Sequence, residues 1–226
     1  MTRFLRFSFL IGVLSFATPA LAQRGSDDPP PPARAPTVAA VSVDMGRLEG
    51  ENYSNNFFGL SLSIPGDWVI VSAPRREAIT AELRSKIEGD QKKQDQLDDS
   101  IQRSIVLLSL TKLPTGEPGN AAVMLVAERL PRPSIKTGAD VIGLMKESFK
   151  GTNVTVEFQG EVQTERIGGA DFGVVTTKIT APNGTFMQKD YVTTKNGYAL
   201  ELFYTYLDDA DLPVLDSIVK SVKVTK

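Results

Sequence analysis

The sequence predicts an α/β domain, specifically an α/β/α sandwich whose central, largely antiparallel sheet is covered by helices on both faces. Three observations lead there. Two near-continuous apolar runs, Ser104–Lys112 and Ala121–Leu130, read as strands buried on both faces. Four later strand-like segments are joined by short Gly- and Asn-containing turns, which makes them antiparallel neighbours. Helical stripes over 138–150 and 208–222 supply the cover such a sheet needs.

Taken in order, the chain opens "MTRFLRFSFLIGVLSFATPALAQ". Arg3 and Arg6 make a positive start, the apolar run Phe7–Ala17 follows, and Pro19 breaks any helix. Ala20-Leu21-Ala22 has the small-x-small form that a signal peptidase cuts. The run falls short of the roughly 20 apolar residues that span a bilayer, so a signal peptide, residues 1–22, cleaved after Ala22, is expected rather than an anchor. Residues 23–51 read as a proline-rich disordered linker, because "GSDDPPPPARAP" favours an extended polyproline rod with no face to pack. A ligand for a proline-binding module is the alternative there, and Val38–Val43 could add an edge strand. Residues 52–226 are expected to form one domain.

Within that domain, Phe58, Leu60, Leu62 and Ile64 alternate with Gly59, Ser61 and Ser63, giving a strand with one apolar face. Pro65-Gly66-Asp67 ends it, and Trp68–Val71 is read as the returning partner of a hairpin. Trp68 is expected in the core; a stacking platform is the alternative. Residues 74–103 carry seven basic and seven acidic side chains, with Ile79, Leu83 and Ile87, then Leu97 and Ile101, at helical spacing on either side of Gly89. A solvated helix, or two hinged near Gly89, follows; a partner-binding arm is the functional version.

After the two apolar strands, Thr137 caps a helix from Gly138 to Lys150 with Val141, Leu144, Met145 and Phe149 on its apolar stripe, and Gly151 stops it. Strands are expected at 154–166, 171–180, 185–194 and 198–206, joined at Gly168-Gly169, Asn183-Gly184 and Asn196-Gly197. Asn-Gly pairs suit the type I′ turn, which needs positive φ at both central residues. Asp208, Asp209 and Asp211 crowd the start of a last helix, where the macrodipole favours negative charge, and Leu212, Leu215, Ile218, Val219 and Val222 form its buried stripe.

Phe57-Phe58-Gly59-Leu60-Ser61-Leu62 followed by Ile64-Pro65-Gly66-Asp67-Trp68 resembles the opening signature of the PsbP/Mog1-like domains, which include bacterial secreted proteins of unassigned function. The segments "GADVIGLMKESFKG", "YVTTKNGYALELFYTY" and "LPVLDSIVKSVKV" follow in the family's order, so the likeness spans about Tyr53–Lys226. The resemblance implies the α/β/α sandwich, a terminal helix ending in a short strand, and a non-catalytic accessory or binding role. It implies no site residue, since histidine-based contacts of photosynthetic members have no counterpart here.

The residue inventory points the same way. With no histidine and no cysteine, triads, thiol nucleophiles, imidazole or thiolate zinc sites and histidine-ligated haem are unavailable. No Walker A loop and no dinucleotide-binding glycine motif occur. Loss of the first 22 residues would leave 23 basic against 27 acidic side chains, a balance that favours neither nucleic acid nor an anionic membrane. Asp208-Asp209-x-Asp211 lacks the glycine and glutamate of a calcium loop and reads as helix capping; Asp98-Asp99 reads as solvated.

No catalytic, cofactor-binding or metal-binding residue is assigned, and no cofactor is expected. The expectation is an exported, periplasmic or secreted, non-enzymatic module with a protein partner and no membrane span in the mature chain. A hydrolase built on dispersed carboxylates or Ser/Lys, or a small-ligand carrier with Trp68 or Tyr206 in its pocket, are the alternatives.

Overall fold

A computed structural model describes residues 43–86, 88–148, 155–181 and 184–225. The signal-peptide segment, the proline run and the expectations at Ile87, Phe149, Gly151 and Asn183 lie outside the described residues. In chain order the elements are β1 (Arg47–Glu49), β2 (Asn52–Asn55), β3 (Leu60–Ser63), β4 (Val69–Ile70), α1 (Ala73–Lys86), α2 (Gln91–Arg103), β5 (Ser104–Thr111) and β6 (Ala122–Arg129). There follow α3 (Gly138–Ser148), β7 (Thr155–Ile167), β8 (Ala170–Ala181), β9 (Gly184–Lys195), β10 (Tyr198–Tyr206), α4 (Leu212–Ser221) and β11 (Lys223–Val224).

The fold is mixed α/β with a large antiparallel sheet. Seven strands run in the order β4-β5-β6-β10-β9-β8-β7, and a smaller sheet holds β1-β2-β3-β11. The four strands read from the second half of the sequence appear as β7 to β10 within about a residue or two of their expected ends. Asn196 and Gly197 both take positive φ, 52° and 81°, as the I′ turn between β9 and β10 demands. β6 is buried along all but its last residue, which fits its place between β5 and β10.

The Phe58–Val71 stretch corrects one expectation. Its two strands do not pair with each other: β3 lies between β2 and β11, whereas β4 pairs with β5. Pro65-Gly66-Asp67 does turn the chain, with the Trp68 N–H donating to the Pro65 carbonyl at 3.0 Å. The turn carries the chain from one sheet to the other, because Leu60, Leu62, Ile64 and Trp68 all drive into the same core. A period-2 pattern reports which face is apolar but not which strand lies alongside. Trp68 is buried, as expected. Upstream, β1 forms within the stretch read as a linker and pairs with β2, while the Tyr53 hydroxyl donates to the Met45 carbonyl at 2.8 Å.

Successive residues of β10 divide between two cores, as pleating requires. Leu200, Leu202, Tyr204 and Tyr206 join the main core with Leu215, Ile218 and Val219 of α4 and with Phe58, Leu60 and Leu62. Ala199 instead joins Val141, Ile142 and Met145 of α3, together with Val175 and Val192. α3 is opened by a reciprocal cap: the Asp140 N–H donates to Thr137 Oγ1, and Asp140 Oδ2 accepts from the Thr137 and Lys136 N–H groups. These bonds hold the Asp140 carboxyl below its usual pKa.

The β5–β6 connection is closed by one side chain. Fully buried Asn120 accepts from the Leu113 N–H at 2.8 Å and donates back to the Leu113 carbonyl at 2.8 Å. Asn120→Ala strands these groups and is expected to cost about 2 kcal/mol, read from the urea midpoint; a shift equivalent to less than about 0.5 kcal/mol would show that the loop closes without it.

Candidate functional site

The seven-stranded sheet brings together side chains that are scattered in sequence. On β9, Gln188 and Asp190 share a face with Val192; on β10, Glu201 shares a face with Ala199 and Phe203. Phe203 lies opposite Asp190, and Glu201 opposite Val192, so Asp190 and Glu201 are diagonal neighbours across adjacent strands. Glu128 of β6 lies opposite Ala199 and extends the diagonal to a third strand.

Gln188 Nε2 donates to Asp190 Oδ1 at 2.6 Å, and Glu201 is the diagonal neighbour of Asp190 on β10. Gln188 and Asp190 are fully buried, and Glu201 is 4% exposed. Burial pushes the Asp190 carboxyl up to about 7, against the opposing hydrogen bonds from Gln188 and Glu201.

This pair escaped sequence reasoning because Asp190 sits in "MQKDYV", an ordinary half-polar strand alternation. A signal was available in Glu201, a single charge in the otherwise uncharged run "YALELFYTY". Among the described residues no group of three His, Cys, Asp or Glu is placed to hold a metal ion.

A second convergence is an open cleft of about 250 Å³ between the β7–β8 turn, β9 and α4. Lys189 and Tyr191 come from β9, Asp216 and Lys220 from α4, and Glu165 and Arg166 from the end of β7. The Lys189 ammonium lies 5.0 Å from the centre of the Tyr191 ring, a cation–π contact. Behind it, the Tyr204 hydroxyl donates to Asp216 Oδ1 at 2.8 Å.

Burial first, then Tyr191 and Asp216, raise the Tyr204 pKa, so its hydroxyl stays protonated and is no nucleophile at neutral pH. Arg166 is engaged by Asp171 at 2.8 Å. Opposite charges alternate round the cleft, so it concentrates no single sign of field.

The acids singled out in the sequence go elsewhere. Asp208 caps the short 3-10 turn Asp209–Asp211 by accepting from the Ala210 N–H at 2.9 Å. Asp211 pairs with Lys112 at 2.5 Å, which ties the start of α4 to the loop after β5. Asp98 pairs with Arg84 across the two charged helices at 2.6 Å. Trp68 and Tyr206 are both buried, and neither lines the cleft.

No family model matches the chain, and no curated protein matches it. Among solved structures, the chain resembles cyanobacterial PsbP. That solution structure, from Synechocystis sp. PCC 6803, shares 14% identity at a TM-score of 0.49, over 84% of this chain and 98% of that one. LpqN, described as involved in cell envelope biogenesis of Mycobacterium tuberculosis, shares 15% identity at a TM-score of 0.43, over 74% of this chain and 83% of LpqN. A Bacteroides thetaiotaomicron VPI-5482 protein shares 12% at 0.41, over 79% of this chain and half of its own.

Proposed function

We propose that this is an exported, non-catalytic binding or accessory module. A signal peptide removed after Ala22 delivers it outside the cytoplasm, and the proline-rich linker of residues 23–51, its end drawn into the small sheet as β1, holds the body at a distance. The body acts as a three-layer α/β/α sandwich. The division of β10 between an α4-side and an α3-side core supports that layering. Among the described residues no helix is long and apolar enough to cross a membrane.

One observation carries the contact-based reading: Asp190 and Glu201, the carboxyls that meet, are sealed from solvent. Acid–base chemistry needs its groups within reach of a substrate. Neighbouring carboxyls are the arrangement of two-carboxylate hydrolases, and the diagonal placement of Asp190 and Glu201 is the observation that favours the enzyme alternative. Neither carboxyl lines the open cleft, however.

The contact surface is the α1–α2 hairpin. No described side chain of α1 is buried, and of α2 Leu97 alone is. Photo-crosslinkers placed at the exposed positions Glu77 and Gln102 are expected to trap one and the same envelope protein. The exposed Glu161 on β7 serves as control. Equal adducts from Glu161, or none from the hairpin, would remove the hairpin as the binding surface.

A further inference from the structure

We propose that the open cleft between the β7–β8 turn, β9 and α4 binds a small zwitterion of the amino-acid type, whose ammonium meets Asp216 and Glu165 and whose carboxylate meets Lys189 and Lys220. Two charges of each sign are offered from two walls. β9 and the end of β7 bring Lys189 and Glu165, and successive turns of α4 bring Asp216 and Lys220. Asp216 and Lys220 stand four positions apart on one helix, the spacing at which opposite charges ordinarily pair. Here they do not. Asp216 Oδ1 instead accepts from the Tyr204 hydroxyl at 2.8 Å, and no ion pair joins Lys189, Lys220 or Glu165 to another described residue. Arg166, the fifth charged residue at the cleft, is spent: its guanidinium donates to Asp171 at 2.8 Å and to the Gly169 carbonyl at 3.1 Å.

Packing behind the cleft fixes its shape before any ligand arrives. Tyr204 belongs to a buried row with Tyr191 and Tyr206, with ring centroids 6.0 and 5.9 Å apart. Burial keeps its hydroxyl a donor, which holds the Asp216 carboxylate in place. On the other side the Gly168 carbonyl accepts from the Val224 N–H at 2.7 Å, and a β-carbon at 168 would overlap the Val222 carbonyl. The β7–β8 turn is thereby seated on the chain that leaves α4. A site whose groups are fixed in advance loses less ordering entropy on binding.

The charge pattern selects the guest. An anion such as phosphate would face Glu165 and Asp216, and a simple cation would face both lysines, whereas a molecule carrying both signs satisfies each wall. Ile167 and the buried Val219 add an apolar stretch for a hydrocarbon side chain. At about 250 Å³ the cleft lies just below the roughly 300 Å³ at which ligand pockets commonly begin, which limits the guest to an amino acid or a dipeptide. None of the lining residues belongs to the α1–α2 hairpin, so this ligand is independent of the protein partner proposed there.

Titration of the full chain with L-leucine and with alanyl-leucine, followed by calorimetry and by amide NMR shifts, tests the site. At least one of the two is expected to bind with a Kd at or below about 1 mM, with shifts centred on 165–168, 189–191 and 216–220. Leucinamide, which lacks the carboxylate, and N-acetyl-leucine, which lacks the ammonium, should each bind about tenfold or more weakly than leucine. Lys220→Gln, at an exposed position, should weaken binding by about tenfold or more, as should Asp216→Asn, which keeps an acceptor for Tyr204. Lys178→Gln, exposed on β8 and outside the cleft, is the control and should change nothing. If Asp216→Asn does not fold, Lys220→Gln decides alone. No binding of either zwitterion, a single-charge analogue that binds as well as leucine, shifts centred elsewhere, or affinity that survives Lys220→Gln would each overturn the site.

Discussion

Asp190→Asn is expected to stabilise the protein at pH 8 by up to about 4 kcal/mol and to leave it nearly unchanged at pH 4. The Asp190 carboxyl is raised from its ordinary value of 3.8 to about 7 by burial. Between those values the unfolded chain has lost the proton that the folded chain keeps. The native state therefore binds more protons, and stability falls as pH rises across roughly pH 4 to 7, then levels off. Below pH 4 both states are protonated and the group contributes nothing.

Asparagine mimics the protonated acid atom for atom. Its oxygen can accept from Gln188 Nε2, as Asp190 Oδ1 does at 2.6 Å, and its amide can donate towards Glu201. Denaturant unfolding of the wild type and the variant at intervals from pH 4 to pH 8 measures the difference curve, which cancels the titrating groups that do not interact with Asp190. A variant less stable than wild type at pH 8, or a difference independent of pH, would mean that Asp190 is ionised in the native state and held by a partner.

Gly138→Ala is expected to cost about 3 kcal/mol, the upper part of the usual range for overpacking, because the atoms in the way are backbone. A β-carbon at 138 would overlap the Val192 carbonyl, with the Gly173 nitrogen 2.7 Å away. From the other side, a β-carbon at 173 would lie 2.6 Å from the Ala139 nitrogen. The two glycines let the start of α3 rest directly on the backbones of β8 and β9. Gly143, on the same helix, has nothing within 4 Å of the added carbon, so Gly143→Ala is expected to stabilise by roughly 0.5–1 kcal/mol through helix propensity. Opposite signs in thermal or denaturant unfolding separate close packing from propensity; matching signs would show that α3 does not sit on the sheet as described.

Local chemistry made most elements legible. The turn at Asn196-Gly197, the hinge at Gly89, the cap at Thr137 and the stripe Leu215, Ile218, Val219 and Val222 each depend on residues within a few positions of one another, and each is present. On α3, Val141 and Met145 are buried as expected, whereas Ile142 is fully buried and Leu144 only half-buried. The candidate site was not legible. Asp190 and Glu201 lie eleven positions apart on two strands, and only the register Phe203 to Asp190 makes them diagonal neighbours.

By itself the sequence determined the export signal as an expectation, the unavailability of imidazole and thiol chemistry, and the strands, helices and turns, since all of these follow from residue identity and short-range periodicity. Tertiary structure alone decided that β3 and β4 part company into two sheets, that three separated acids line up on one face, and that a glycine pair lets a helix touch a strand. The physical reason is that pairing register and burial are properties of the assembled sheet. A carboxylate's cost depends on how much water surrounds it, which no single stretch of chain specifies.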